Sequence, residues 1–218
     1  MKTKFLLIIL LLTVTISLTS CASKKELKEK PVIEKSENFI ADLDSFFIGN
    51  LNLYTKRSIN NPVITQFDVY FYPRSNSIAL FCKLGIDVIQ IVFSYADREN
   101  IYETAQLYLS NYENNLIKEE KPTSKNAYLK GSLPIAWGVF GYTYSETTKY
   151  QINTEYLWIE KPYYRLKLDA TSTKDEYATF AGFSIYVSPS QWQSIFEMCD
   201  QATLEAKCDE KLVQADTF

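Results

Sequence analysis

The sequence predicts an α+β domain, a mainly antiparallel sheet of six to eight strands packed by about three helices. Three observations predict it. First, several segments alternate apolar and polar residues with the period of two that marks a half-buried strand, most clearly Thr148 to Ile159 and Tyr163 to Asp169. Second, two segments switch to helical spacing directly after a serine suited to an N-cap, Ser94 and Ser188. Third, aromatic residues that favour strands are abundant, with 16 Tyr, 13 Phe and 3 Trp among 218 residues.

The elements follow in order. Phe39, Ile40, Leu43, Phe46 and Phe47 fall on one helical face, and Gly49 is a fitting stop, so the spacing predicts a first helix there. Gln66 to Tyr72 reads as a strand, Pro73 to Asn76 as a turn, and Ser77 to Leu84 as the next strand. Gly85 marks a turn before a strand over Ile86 to Phe93. Ser94, with Asp97 three residues on, then opens a helix whose stripe is Ile101, Ala105, Tyr108, Leu109, Tyr112 and Leu116. Lys118 to Lys125 is a charged linker containing Pro122.

A second block of strands comes next. Ile135 to Tyr144 is aromatic and carries Gly138 and Gly141. In the strand after it, Tyr150, Ile152, Tyr156 and Trp158 share one face, with Lys149, Gln151, Asn153 and Glu155 on the other. Tyr164, Leu166 and Leu168 point inward from the following strand, with Arg165, Lys167 and Asp169 outward. A polar turn over Thr171 to Glu176 leads to a strand over Thr179 to Val187. Ser188, Pro189 and Gln191 then supply an N-cap, a proline at the first helical position and a capping-box partner. Trp192, Ile195, Phe196, Cys199 and Ala202 form that helix's stripe.

The two strand-to-helix passages correspond without gaps. A shift of 94 residues places Ile91 on Ile185, Ser94 on Ser188, Ile101 on Ile195, Tyr102 on Phe196 and Glu103 on Glu197. Chance, the shared grammar of a strand running into a capped helix, and an internal duplication each account for the match. If the duplication is real, the sheet should show a pseudo-twofold, and a structure lacking one would end the idea.

The N-terminus carries a targeting pattern. Lys2 and Lys4 precede an unbroken apolar run, Phe5 to Leu12, and small and hydroxyl residues lead to Leu18-Thr19-Ser20-Cys21. This resembles the lipobox of bacterial lipoproteins. The resemblance implies cleavage before Cys21, a diacylglycerol on its sulfur and an acylated amine, with chains such as palmitate in the membrane. One chain anchors only reversibly, at about 0.8 kcal/mol per buried methylene, whereas several hold firmly. The expected organisation is therefore a signal peptide over residues 1–20, an acylated Cys21 with a charged tether over 21–37, and one domain over 38–218. The tether alternates Lys and Glu and has few apolar residues to pack. Ala22 and Ser23 are not the aspartate linked to inner-membrane retention in enteric bacteria, which leans the expected location towards the outer membrane of the cell envelope.

Composition narrows the chemistry. There is no histidine, which removes Ser-His and Cys-His nucleophile systems and the usual catalytic zinc sites. With 6 glycines, no phosphate-cradling loop is present. A formal net charge of −3 without a basic face argues against nucleic acid as a partner. No cofactor or metal is expected. Cys82, Cys199 and Cys208 lack C-x-x-C spacing. Cys199 and Cys208 would stand about 13.5 Å apart on opposite sides of a continuous helix, and could bond only if the helix ended between them. Free thiols and one disulfide both stay open. For carboxylate chemistry, Glu155 and Glu160 would point to opposite faces of one strand, and Asp42 and Asp44 could not converge on a helix.

What remains is a binding surface. Trp137, Phe140, Tyr142, Tyr144, Tyr156 and Trp158 are the candidate residues, because aromatic rings with polar tips suit recognition and glycines among them permit close approach. The first functional expectation is a non-catalytic envelope lipoprotein that binds a protein or cell-wall partner while held at the membrane through Cys21. The second is a carrier for a lipid or other apolar molecule, held between sheet and helices. The third, with no positive support, is a hydrolase of envelope polymers using two carboxylates.

Overall fold

The computed structural model describes residues 38–57, 61–139, 144–157 and 161–215. Cys21, the signal segment and most of the tether lie outside the described residues, as do Phe140, Tyr142, Trp158 and Glu160. The sheet is antiparallel throughout and closes on itself. Its strands are β1 (Phe46–Lys56), β2 (Val63–Tyr72), β3 (Ser77–Leu84), β4 (Asp87–Phe93), β5 (Leu129–Val139), β6 (Tyr144–Tyr156), β7 (Pro162–Leu168) and, after a small β8–β9 hairpin (Thr171–Ser172 and Thr179–Phe180), β10 (Phe183–Val187). Each pairs with the next, and β10 returns to β1, so eight strands make a barrel. Helix α1 (Tyr95–Glu113) joins β4 to β5. Helices α2 (Trp192–Cys199) and α3 (Gln201–Ala215) follow β10. Closure removes exposed sheet edges and gives most strands one wet and one dry face, whereas β10 is buried at all five positions, with Tyr186 packed on Tyr163 and Leu157 outside the barrel.

That geometry explains the alternation. Along β2, Thr65, Phe67, Val69 and Phe71 are buried and point inward, as Ile89, Ile91 and Phe93 do along β4. The outer wall carries Lys56, Asp68, Lys83, Lys149, Arg165 and Lys167. Among the described residues no helix is long and apolar enough to cross a membrane.

The expected first helix is absent. Residues 39–45 are irregular and Phe46 begins β1. The aromatic spacing that suggested a helix coincides with period-two burial of Leu51, Leu53 and Thr55 further along. Gly49 stands in the strand beside a register shift, with Met198 packed where a Cβ would be. Because the segment is extended rather than helical, Asp42 and Asp44 do converge, both on Arg74, at 2.7 and 3.0 Å. The expected strand over Thr179 to Val187 is broken. Gly182 adopts φ +70°, and a Cβ there would stand 2.6 Å from the Leu168 carbonyl oxygen, so the chain turns between β9 and β10. The two-sided sheet with helices over one face is replaced by a barrel with helices over one end.

Both capped passages are present. Asp97 N–H donates to Ser94 Oγ at 3.2 Å and Ser94 N–H to Asp97 Oδ2 at 3.0 Å. Ser188 N–H donates to Gln191 Oε1 at 2.9 Å.

The barrel repeats itself. β1–β4 followed by α1, and β5, β6, β7 and β10 followed by α2, are two four-stranded meanders that each run into a capped helix. Their registers agree rung by rung. Ile91 pairs with Leu80 and Leu80 with Val69, as Ile185 pairs with Leu166 and Leu166 with Ile152. Val69 pairs with Gly49 as Ile152 pairs with Leu129. This places β1 against β5, and the two seams between the halves test the assignment. Ile91 pairs with Ile135 across one, and Ile185 pairs with Thr55 across the other. Thr55 and Ile135 are the partners that the same correspondence requires. The rings of Tyr102 and Phe196, matched by the sequence shift, meet at 4.6 Å between α1 and α2. Strand order and register therefore match between the two halves at these rungs.

Candidate functional site

The two ends of the barrel differ. At one end Trp137 points inward and packs on Phe180 of the β8–β9 hairpin and on Tyr144, both with ring centroids 5.9 Å away. Phe67, Cys82, Ile89 and Leu168 fill the interior beside it. At the other end β4 and β10 run into α1 and α2, and between those helices and the barrel wall lies a cavity of about 710 Å³. Its floor is aliphatic, built from Leu51, Leu53, Ile78, Leu80, Ile152, Leu166 and Ile185. Phe93, Ile101, Tyr102, Tyr164, Val187, Trp192, Ile195 and Phe196 complete the apolar wall. An eight-stranded barrel is just wide enough to be filled by side chains or to hold one small ligand. Here one end is filled and the other is not.

Two polar groups on this wall stand out. Arg98 lies three residues before Ile101, on the buried side of α1. Its Nη2 donates to Asn76 Oδ1 at 2.7 Å, to the Asn76 carbonyl at 3.1 Å and to Gln201 Oε1 at 3.2 Å. Its Nη1 donates to the Cys199 carbonyl at 3.1 Å. Asn76 can present both acceptors because it sits in the left-handed region, at φ 47°, in the β2–β3 turn. All four acceptors are neutral, and no carboxylate among the described residues forms an ion pair with Arg98. The Cys199 carbonyl ends α2, so its partial negative charge compensates the guanidinium only in part. Burial lowers the guanidinium pKa from its ordinary value, against the raising influence of Cys199, Glu99 and Tyr95. Its Nε is buried and without a partner.

The second group is Trp192. Its ring is 3 % exposed, edge-on to Tyr164 at 4.8 Å and tilted over Phe196 at 5.3 Å. Its Nε1 is likewise buried and unpartnered. Tyr164, by contrast, is satisfied, since its hydroxyl and Thr104 Oγ1 share a bond of 2.7 Å. The shift that superimposes the capped helices places Arg98 on Trp192. Of the three buried donors without a partner among the described residues, Arg57 Nε lies away from the cavity, and Arg98 and Trp192 occupy matching positions, one from each half.

A scan of protein families matches residues 26–206 to a family described as "Uncharacterised Treponema protein". The chain belongs to that family. A relative from Treponema pallidum (strain Nichols), described as an uncharacterized protein, is 25 % identical over 173 residues, covering 78 % of this chain and 62 % of its own length. The chain thus spans less than two thirds of that relative. No solved structure matches.

In this Treponema-family chain, of the sequence-predicted aromatic residues Trp137 and Tyr144 meet, Tyr156 stands apart from them, and Phe140, Tyr142 and Trp158 lie outside the described residues. Trp137 is not on the surface, being 5 % exposed and turned into the barrel, because its strand position has the inward parity of Ile135 and Leu133. Tyr144 is exposed at the same filled end. Tyr156 stands at the opposite end and donates to the Ile117 carbonyl at 3.2 Å, tying down the segment after α1. Asn153 tethers that segment too, donating to the Thr123 carbonyl at 2.9 Å and to Asn126 Oδ1 at 3.0 Å.

The carboxylate candidate Glu155 is on the outer wall, where it accepts from Tyr186 at 3.0 Å and pairs with Arg165 at 2.9 Å and Lys56 at 3.7 Å. The thiols of Cys82, Cys199 and Cys208 are free. The helix does end at Asp200, between Cys199 and Cys208, yet no bond forms. Burial pushes the Cys82 thiol up to about 12 and the Cys199 thiol up to about 11.

Sequence reasoning passed over Arg98. Its signal was there, since residues 98, 101, 105 and 108 share one helical face and the first of them is charged.

Proposed function

We propose that this chain is a lipid-anchored carrier, a barrel held at a bacterial envelope membrane through acylated Cys21 that binds one apolar or amphipathic molecule between its wall and its helices. The observation that carries the reading is the cavity of about 710 Å³ with an aliphatic floor and an aromatic upper wall. That volume lies within the range of small-molecule sites, and an apolar lining with few polar groups is their usual composition. Anchorage suits the same reading, because the ligand of such a site is most concentrated where lipid is. Incorporation of labelled fatty acid, abolished by Cys21→Ser, tests the anchor.

For the cavity, full-length protein purified from cells is extracted with organic solvent, and the non-covalent fraction is analysed by mass spectrometry. The carrier reading expects one class of apolar molecule in near-stoichiometric amount, lost in a Leu166→Trp variant that remains folded. A clean extract, with one dominant protein captured by in-cell crosslinking, would overturn it in favour of an assembly module.

A further inference from the structure

We infer that the cavity's ligand is an anionic amphiphile, an apolar chain ending in a carboxylate or phosphate, and that Arg98 and the Trp192 indole N–H receive its head. The inference rests on the carrier reading and adds the polarity of what is carried.

An apolar cavity alone selects no head group. Arg98 changes that, because a partly buried cation without a carboxylate partner is costly and is ordinarily neutralised by a counter-charge. Its clamps to Asn76, Gln201 and the end of α2 hold the guanidinium in place without cancelling its charge. The N–H at Nε has no acceptor among the described residues. A fixed guanidinium is the side chain best shaped for carboxylate and phosphate oxygens.

The second observation is independent of the first. Trp192 Nε1 is a donor only, it is buried, and it too has no acceptor. Buried donors left open in this way call for a partner. Both residues line the same cavity, and a head entering between them would supply acceptors once the guanidinium and the indole turned towards it. The carboxylates on the cavity wall do not take that place. Asp200 is exposed and accepts from Thr203 N–H and Oγ at 2.9 and 3.1 Å. Glu197 is exposed and accepts from Gln193 at 2.7 Å, and Glu99 is exposed.

The test uses the chain from residue 21 onward, the form left by the expected cleavage, with Cys21→Ser in place of the acylated residue. Three ligands of equal chain length are titrated: hexadecanoate, hexadecyl phosphate and hexadecanol. At least one anion is expected to bind about tenfold or more tightly than the alcohol, and whichever anion is tighter identifies the head. Arg98→Gln should abolish that preference and Arg98→Lys retain part of it. Trp192→Phe, which keeps the ring and removes the N–H, should weaken anion binding several-fold and leave the alcohol unchanged.

Thermal unfolding of each variant shows whether it folds. Should Arg98→Gln fail to fold, the preference of the unsubstituted site and its loss in Trp192→Phe still decide. Equal binding of acid and alcohol overturns the anionic head while leaving the carrier standing. Binding of none of the three overturns the carrier reading and this inference with it. A preference that survives both Arg98→Gln and Trp192→Phe overturns the assignment to these residues.

Discussion

The two halves of the barrel share a plan and differ in what they put into it. Each is a four-stranded meander running into a serine-capped first turn, α-helical after Ser94 and a 3-10 turn over Pro189–Gln191 after Ser188, with the same pairing at the matched rungs. Yet at the fourth position of the helical passage one half places Arg98 and the other Trp192. One makes hydrogen bonds to a turn and a helix end, whereas the other fills space between Tyr164 and Phe196. A further contrast lies in the wall. Leu51 faces Phe67 in the first half, while the matched pair in the second is Gly131 facing Tyr150. Symmetry of the backbone thus builds an enclosure, and departures from symmetry in the side chains give it polarity. A strictly symmetric pair of halves would present two arginines or two tryptophans.

The largest expected effect breaks the comparison at that position. Trp192→Ala should destabilise the protein by about 3–5 kcal/mol, because the ring is buried among aromatics with nothing to replace it. Arg98→Met should cost less, about 1–2 kcal/mol, since lost hydrogen bonds are offset by relief of a poorly compensated charge. Urea unfolding measures both. Equal losses would show that the two positions do the same structural work.

The wall contrast comes next. A Cβ on Gly131 would lie 2.6 Å from Tyr150 Cε1 and 2.8 Å from its hydroxyl oxygen, and Tyr150 is 4 % exposed. Gly131→Ala is therefore expected to cost about 1–3 kcal/mol by overpacking. In a Tyr150→Leu background the same change should cost much less, and a double-mutant cycle reads the coupling. An additive cycle would mean that the glycine is required for some other reason.

The smallest effect concerns Cys82, which stands where the second half has Leu168. Its thiol is raised from 9.0 to about 12 and that of Cys199 from 9.0 to about 11, both by burial. The folded state thus holds these protons after the unfolded chain has released them. The stability from the buried neutral thiols is complete below pH 9 and is lost as pH rises through the folded values. The expected loss is about 1 kcal/mol per thiol between pH 9 and pH 10. Cys82→Val, which makes the halves more alike, should remove its share of that slope in denaturant melts recorded across this range. An unchanged slope would assign the alkaline loss elsewhere.

Strand Ser77–Leu84 and both capping boxes were legible in the sequence, because each is written in residues next to one another. The inward set Tyr164, Leu166 and Leu168 was legible for the same reason. β1 was not, since Phe46 and Phe47 fit a helical stripe as well as the start of a strand, and only pairing with β2 and β10 decides between them. The convergence of Asp42 and Asp44 on Arg74 depended on the same decision. The aromatic cluster around Trp137 looked like one surface because the residues are near in sequence. A strand carries neighbours to opposite faces and distant residues to opposite ends, so Trp137 and Tyr156 finish far apart in role.

By itself, the sequence determined the local grammar of this protein: alternating strands, two serine-capped helical turns and a matched pair of strand-to-helix passages, after an N-terminal stretch that resembles a lipobox. These are short-range properties, set by backbone preference and by the spacing of apolar residues. Only the tertiary structure decided that the sheet closes, that the matched helices meet over one end, and that Arg98 and Trp192 border a common cavity. Closure depends on registers accumulated around eight strands, and a partly buried charge without a carboxylate partner is visible only once its surroundings are in place.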